Sequence, residues 1–201
     1  GNPGKLFNIM MKDKTGSEIR GTFFNEQVDT FYPIIDQDGV YEISDGLIRE
    51  KNPKFNYTSH EYEIAFNSST KIQPIPDDHT IGKLTYQFQK LSTLSNISPK
   101  TPVDILCYVI SVSPIQSVTF KNNKTVEKRE LVICDDSNVK CDMTLWDEMA
   151  VEFPNEGGFI AAFKFAKLSD FKGRTLSSPL NIALNPSFYQ AEVLKEWIDE
   201  N

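Results

Sequence analysis

The segment Asp135-Asp136-Ser137-Asn138-Val139-Lys140-Cys141-Asp142-Met143-Thr144-Leu145-Trp146-Asp147-Glu148, running on to Phe153, has a counterpart earlier in the chain. Asp13-Lys14-Thr15-Gly16-Ser17-Glu18-Ile19-Arg20-Gly21-Thr22-Phe23-Phe24-Asn25-Glu26, running on to Phe31, repeats the order of residue types in constant register, 122 positions upstream. Each copy reads as strand, turn, strand, aromatic residue, polar cap and short helix. Gly16 and Asn138 stand at the turn, where a positive φ is tolerated. Asn25 and Asp147 follow the second strand and are expected as N-caps. A repeat spaced this widely is not a solenoid. It implies two copies of one domain of about 100–120 residues.

The flanking sequence extends the β reading. Lys5–Met11 and Glu18–Phe24 are expected as a hairpin, with Val40–Ile48 and Tyr62–Phe66 as further strands. The second half offers Val103–Val112, Glu130–Cys134, Lys140–Leu145, Gly158–Leu168 and Thr175–Leu184, all rich in β-branched and aromatic residues between turn formers. Five strands with a helix after the third is the layout of an OB-fold, a small Greek-key barrel. The expected fold is therefore all-β with short helices: tandem OB-folds, the first lacking its first strand, because only Gly1–Gly4 precede its hairpin. A barrel without that strand has two exposed edges. Domain one is expected over 1–90, including the proline-broken linker, and domain two over 91–201. Phe188, Ala191, Leu194 and Trp197–Ile198 recur at helical spacing, so Pro186–Asn201 reads as an amphipathic helix packing on the last barrel or on a partner.

Composition narrows the function classes. The 201 residues carry 28 acidic and 21 basic side chains, a net charge of −7, and 39 % are hydrophobic. Cores are thus expected and disorder is not. No apolar run approaches the ~18 residues of a membrane helix, and no signal-peptide pattern opens the chain. The absence of a starting Met points to an excised fragment. Cys107, Cys134 and Cys141 form no C-x-x-C pair and read as reduced, with no metal or other cofactor expected. Asp77-Asp78-His79 reads as a solvated turn, and no catalytic motif is present, so the chain is not expected to be an enzyme.

Net acidity argues against a nucleic-acid partner, but the charge is unevenly spread. Thr119–Glu130 interleaves Phe120 with Lys121, Lys124, Lys128 and Arg129, for a local excess of two positive charges. Ala161–Arg174 interleaves Phe163, Phe165 and Phe171 with Lys164, Lys167, Lys172 and Arg174, for an excess of three. In the five-strand reading these segments are the loop joining strands 1 and 2, and the run through strand 4 into the 4–5 loop. Both flank the ligand face of an OB-fold, where single strands stack bases on aromatics and cations track the backbone. Phe163 and Phe165 alternate with Lys164 and are expected together on the core face. Phe171 lies in a polar turn and is expected to be exposed. The pattern leaves open whether Phe24 and Trp146 close a barrel end or present a stacking face.

These residues resemble the large-subunit family of replication protein A. The first half, through Gly4-Lys5-Leu6-Phe7 and Ile19 to Asp29, is similar to the first central DNA-binding domain of that family. The C-terminal half is similar to the next domain, through Val103-Asp104-Ile105, Asn122-Asn123, Lys128-Arg129, Thr144-Leu145-Trp146, Leu168 to Phe171, Gly173-Arg174, Leu176-Ser177 and Asn185-Pro186. The resemblance implies a nuclear, non-enzymatic protein. It would coat single-stranded DNA in replication, repair and recombination, partnered by two smaller subunits of a heterotrimer and by replication and repair proteins, with no membrane. It implies contacts from Arg20, Phe24, Arg49, Phe55 and Glu63, and from Lys124, Lys128, Trp146, Lys167 and Phe171. Phe24 with Phe55, and Trp146 with Phe171, are the implied stacking pairs. Lysine stands at 167 where the family commonly has arginine, which keeps charge but loses the planar fork. The alternatives are an OB-fold module docking acidic peptides, since fold does not fix function, and a telomere end-binding protein.

Overall fold

The computed structural model describes residues 4–170 and 173–201. The chain divides into two compact units, Gly1–Thr85 and Tyr86–Asn201. The division lies a few residues before the expected boundary because 87–91 bond to the second unit. Gln87 N–H donates to the Asp104 carboxylate at 2.9 Å, and Leu91 N–H donates to Asp135 at 2.8 Å.

The first unit runs β1 (Leu6–Lys12), β2 (Glu18–Phe24), α1 (Glu26–Phe31), a 3-10 turn (Tyr32–Ile34), β3 (Tyr41–Ser44), β4 (Leu47–Glu50), β5 (Tyr62–Ala65) and β6 (Lys71–Pro74). β1 and β2 pair antiparallel along their whole length, turned by Asp13, whose carboxylate accepts the Thr15 and Ser17 N–H groups, and by Gly16 at φ 86°. The sheet order is β1-β2-β5-β4, with β3 and β6 a separate ribbon. The strand expected over Val40–Ile48 is thus two strands, broken where Asp45 adopts φ 63°. β6 falls in the stretch expected as linker. The core centres on fully buried Phe23, stacked on Phe7 at 4.3 Å and on Phe66 at 4.3 Å. Such stacked pairs add about 0.5–1.5 kcal/mol beyond their burial. Gly21 makes room for this packing, because a Cβ there would lie 2.4 Å from Cε2 of Phe66.

The second unit runs a 3-10 helix (Leu91–Asn96), β7 (Pro102–Val112), β8 (Gln116–Thr119), β9 (Thr125–Cys134), β10 (Lys140–Trp146), α2 (Asp147–Glu152), β11 (Phe159–Ser169), β12 (Thr175–Ser177), β13 (Asn181–Leu184) and α3 (Tyr189–Glu200). β7 pairs with β9, β9 with β10, β10 with β12, β12 with β11 and β11 with β7, so the barrel is closed. Ile105, Leu131, Met143, Leu145, Phe163 and Leu176 are fully buried within it. Three expectations need correction. Thr175–Leu184 breaks at Ser178, which has φ 47°. Thr119–Glu130 is a β8–β9 hairpin for most of its length rather than a loop. Phe165 does not join Phe163 in the core: a bulge in β11 between Phe163 and Ala166, with Phe165 at φ 53°, breaks the alternation and leaves Phe165 half-buried.

The two units share a ladder as well as a motif. Gly21 faces Ile64 as Met143 faces Leu176. Ser44 faces Lys71 as Lys164 faces Asn181, and Leu47 faces Ala65 as Lys167 faces Ser177. Strand four is broken in both units by a residue with positive φ, Asp45 in one and Phe165 in the other. Among the described residues the first unit has no counterpart of β7, so β1 and β4 are its sheet edges. The cap expectation is wrong in mechanism. Neither Asn25 nor Asp147 caps a helix with its side chain; both adopt left-handed backbone, at φ 48° and 51°. The shared requirement is a sharp turn out of strand three, which Asn and Asp tolerate better than other side chains.

α3 lays Ala191 and Leu194 on Ile160, with Leu106, Tyr108, Phe188, Trp197 and Ile198 around them, so the tail covers its own barrel. No helix among the described residues is long and apolar enough to cross a membrane. All three cysteines are free. Burial pushes the Cys141 thiol up to about 11 and Cys107 well above its usual range, so neither is a thiolate at neutral pH.

Candidate nucleic-acid interface

In the first unit the candidate residues form one connected patch. Phe24, half-buried at the end of β2, lies under the Arg49 guanidinium, 5.7 Å from its ring centre. Arg49 sits opposite Glu63 in the β4–β5 ladder, and its Nε donates to Glu63 at 3.0 Å. Phe55, on the β4–β5 loop, is 63 % exposed. The loop backbone that carries this ring is anchored from beneath. Here Arg20, only 8 % exposed, donates from Nη1 to the Phe55 carbonyl and from Nε to Asn8 at 3.2 Å. Burial lowers the Arg20 pKa and Glu63 opposes that shift; a guanidinium remains charged regardless. Next to Phe55, the buried Asn56 donates to Glu63 at 3.1 Å and accepts from Thr58 N–H and hydroxyl. Thr22 Oγ1 donates to the same Asn8 oxygen at 2.9 Å.

Arg20 and Glu63 therefore lie beneath the loop, while Arg49 and Phe55 are exposed. Asn8 and Asn56 belong to this network and were not anticipated. The signal in the sequence was slight: Asn8 is a lone amide among the apolar residues of β1, and Asn56 simply follows Phe55.

In the second unit Trp146 ends β10, half-buried, at the position equivalent to Phe24. Lys128 faces it across the ladder and pairs with Glu130 at 2.6 Å. Lys124 is exposed at the turn of the β8–β9 hairpin, and Lys167 is exposed on β11 between Pro102 and Ser177. Phe120 is 45 % exposed, with its ring 6.0 Å from that of Trp146 and tilted by 35°. Phe171 and Lys172 lie outside the described residues.

The basic segments carry less free charge than their composition suggests. Arg129 is 2 % exposed and donates to the Phe153 and Pro154 carbonyls at 2.7 and 2.8 Å. Lys164 is buried 3.7 Å from the Asp104 carboxylate, its ammonium 4.6 Å from the Phe165 ring centre and 5.4 Å from that of Tyr86. Arg174 pairs with Asp170 at 3.0 Å and donates to the Ser95 carbonyl.

No group of His, Cys, Asp and Glu among the described residues clusters as metal ligands. At Asp77-Asp78-His79 the carboxylates accept turn N–H groups, from His79 at 2.8 Å and Thr80 at 3.1 Å. Hydrogen bonds from the Thr80 hydroxyl and N–H, and then from Lys14, hold the exposed Asp78 carboxyl down at about 2.

Two family descriptions match the chain: a replication protein A OB domain over residues 91–184, and a domain of unknown function, DUF223, over residues 3–98. The replication protein A 70 kDa DNA-binding subunit of Xenopus laevis is 37 % identical over 199 residues, 98 % of this chain and 32 % of that protein. Replication factor A protein 1 of Schizosaccharomyces pombe is 31 % identical over the same coverage. A solved replication protein A heterotrimer bound to single-stranded DNA superposes with a TM-score of 0.83 at 31 % identity, covering 100 % of this chain and 48 % of that one. The chain spans about a third of the length of the curated relatives it matches. With the OB barrel, the repeat and this similarity along 98 % of its length, the chain is homologous to the replication protein A large subunit, and residues 91–184 match the replication protein A OB domain.

Proposed function

We propose that the chain binds single-stranded DNA with little sequence preference, stacking bases on aromatic side chains while cations follow the backbone. The observation that carries this reading is Phe55, an exposed ring on a loop whose backbone is anchored from below: buried Arg20 donates to the Phe55 carbonyl, and buried Asn56, the next residue, donates to Glu63. These bonds fix the backbone that presents the ring, and an exposed aromatic ring on an anchored backbone is a surface on which any base stacks. In this reading Phe24, Phe55, Trp146 and Phe171 stack, and Arg49, Lys124, Lys128 and Lys167 face phosphates. Arg20 and Glu63 act by positioning. The names of the relatives support the reading: DNA-binding subunits, and a heterotrimer bound to single-stranded DNA. By the same analogy the chain works in the nucleus in replication, repair and recombination, beside two smaller subunits and other replication and repair proteins, and catalyses no reaction.

Both tryptophans, Trp146 and Trp197, belong to the second unit. Oligo-dT is expected to quench the intrinsic fluorescence at low salt. Trp146→Phe is expected to remove most of that quenching while keeping the binding detectable in a mobility shift. Neither quenching nor a shift at low salt overturns the reading.

A further inference from the structure

We propose that Phe120 is a base-contacting residue of the second unit, forming with Trp146 a two-ring platform. This rests on the single-strand reading above. Phe120 sits where β8 turns into β9. The ladder below it runs without interruption from Gln116 opposite Lys128 to Thr119 opposite Thr125. The turn is closed by Phe120 N–H donating to the Lys124 carbonyl at 2.8 Å and by Asn123 N–H donating to the Phe120 carbonyl at 2.9 Å, with Asn123 at φ 61°. The backbone of Phe120 is thereby fixed to β9, the strand whose Lys128 faces Trp146.

The ring is 45 % exposed and lies outside the barrel core. At 6.0 Å and 35° it touches the indole at a tilt. Rings this close leave no slot between them, so a base lies across the pair and gains area on both. The exposed ammonium groups of Lys121 and Lys124 stand on the same turn, placed for the phosphates of that nucleotide. A turn carrying two lysines, two asparagines and one phenylalanine has no folding need for the aromatic ring. Contact with a ligand's flat face gives it one.

The test measures oligo-dT affinity of the full chain for Phe120→Ala, Phe120→Leu, Trp146→Ala and the double variant Phe120→Ala/Trp146→Ala. Loss of one stacking contact corresponds to a weakening of about 5- to 150-fold. Phe120→Ala and Phe120→Leu are both expected to weaken binding about tenfold, with unchanged thermal midpoints. Leucine keeps apolar bulk against Trp146 but offers no aromatic face. Phe120→Ala is also expected to weaken binding further in the Trp146→Ala background. If Phe120→Leu binds like the native chain, or if Phe120→Ala adds nothing once Trp146 is gone, Phe120 is only a prop for the indole and the proposal falls, while the single-strand reading stands. If the native chain itself leaves oligo-dT unbound, the single-strand reading fails first and takes this one with it.

Discussion

Replacing Asp104 by alanine is expected to destabilise the second unit by about 3–5 kcal/mol, the cost of breaking a buried ion pair from one side. The Asp104 carboxylate accepts N–H groups from Gln87 and Phe165, each at 2.9 Å, and faces the Lys164 ammonium at 3.7 Å. It therefore joins three pieces of chain: the segment entering the unit, β7, and the bulge of β11. Removing it takes the facing carboxylate from the buried Lys164 ammonium and an acceptor from the part-buried N–H groups of Gln87 and Phe165, and a buried charge that loses a counter-charge is costly. Urea unfolding followed by tryptophan fluorescence reads this unit alone, since both tryptophans lie in it. With a slope of about 1–3 kcal/mol per molar urea, the midpoint falls by about 1 M or more. Asp104→Leu combined with Lys164→Met is expected to recover most of the loss, because apolar residues often replace a buried pair at little net cost. A midpoint for Asp104→Ala within about 0.3 M of the native value, on the order of the extrapolation error, refutes the assignment of Asp104 as the junction.

The double variant Phe55→Ala/Trp146→Ala is expected to weaken oligo-dT binding by about 2–6 kcal/mol, roughly 30-fold to 10⁴-fold, if losses on separate units add. The underlying value of about 1–3 kcal/mol per base is general to single-strand-binding OB-folds, this family among them. Each single change is expected to cost about half the total, and Phe55→Ala is expected to leave stability unchanged because its ring is 63 % exposed. Fluorescence anisotropy of a labelled oligo-dT gives all three constants. A double variant no weaker than Trp146→Ala alone removes Phe55 from the interface.

The repeat was legible because its strongest marks are backbone requirements. Gly16 and Asn138 both have positive φ, as do Asn25 and Asp147, and few residue types tolerate that geometry. Beyond α1 and α2 the parallel was not legible, although the pairing continues residue for residue. Loops of different length shift the offset from 122 to 120 in strand four and to 112 at β12, so a fixed-offset comparison loses the match. Among the described residues no strand of the first unit stands where β7 stands in the second. The break at Asp45 and the bulge at Phe165 were not legible, since an apolar run does not show where alternation slips. The aromatic members of the candidate site could be found by pattern and resemblance. The burial of Arg20, Glu63, Arg129 and Lys164 could not. Each is buried by partners distant in sequence: Lys164 by Asp104, and Arg129 by the carbonyls after α2.

On the proposed single-strand reading, that burial sets how binding responds to ionic strength. Each phosphate neutralised on a single strand releases condensed counterions, with a slope of about −0.7 in log affinity against log salt concentration. Of Lys121, Lys124, Lys128, Arg129, Lys164 and Lys167, Arg129 and Lys164 are sealed in the protein and displace none. The second unit's share of the slope is then about −3 rather than the roughly −4 of all six cations. On the proposed reading the stacking faces contribute the part of binding that salt does not screen, and a titration in potassium chloride would read that balance directly.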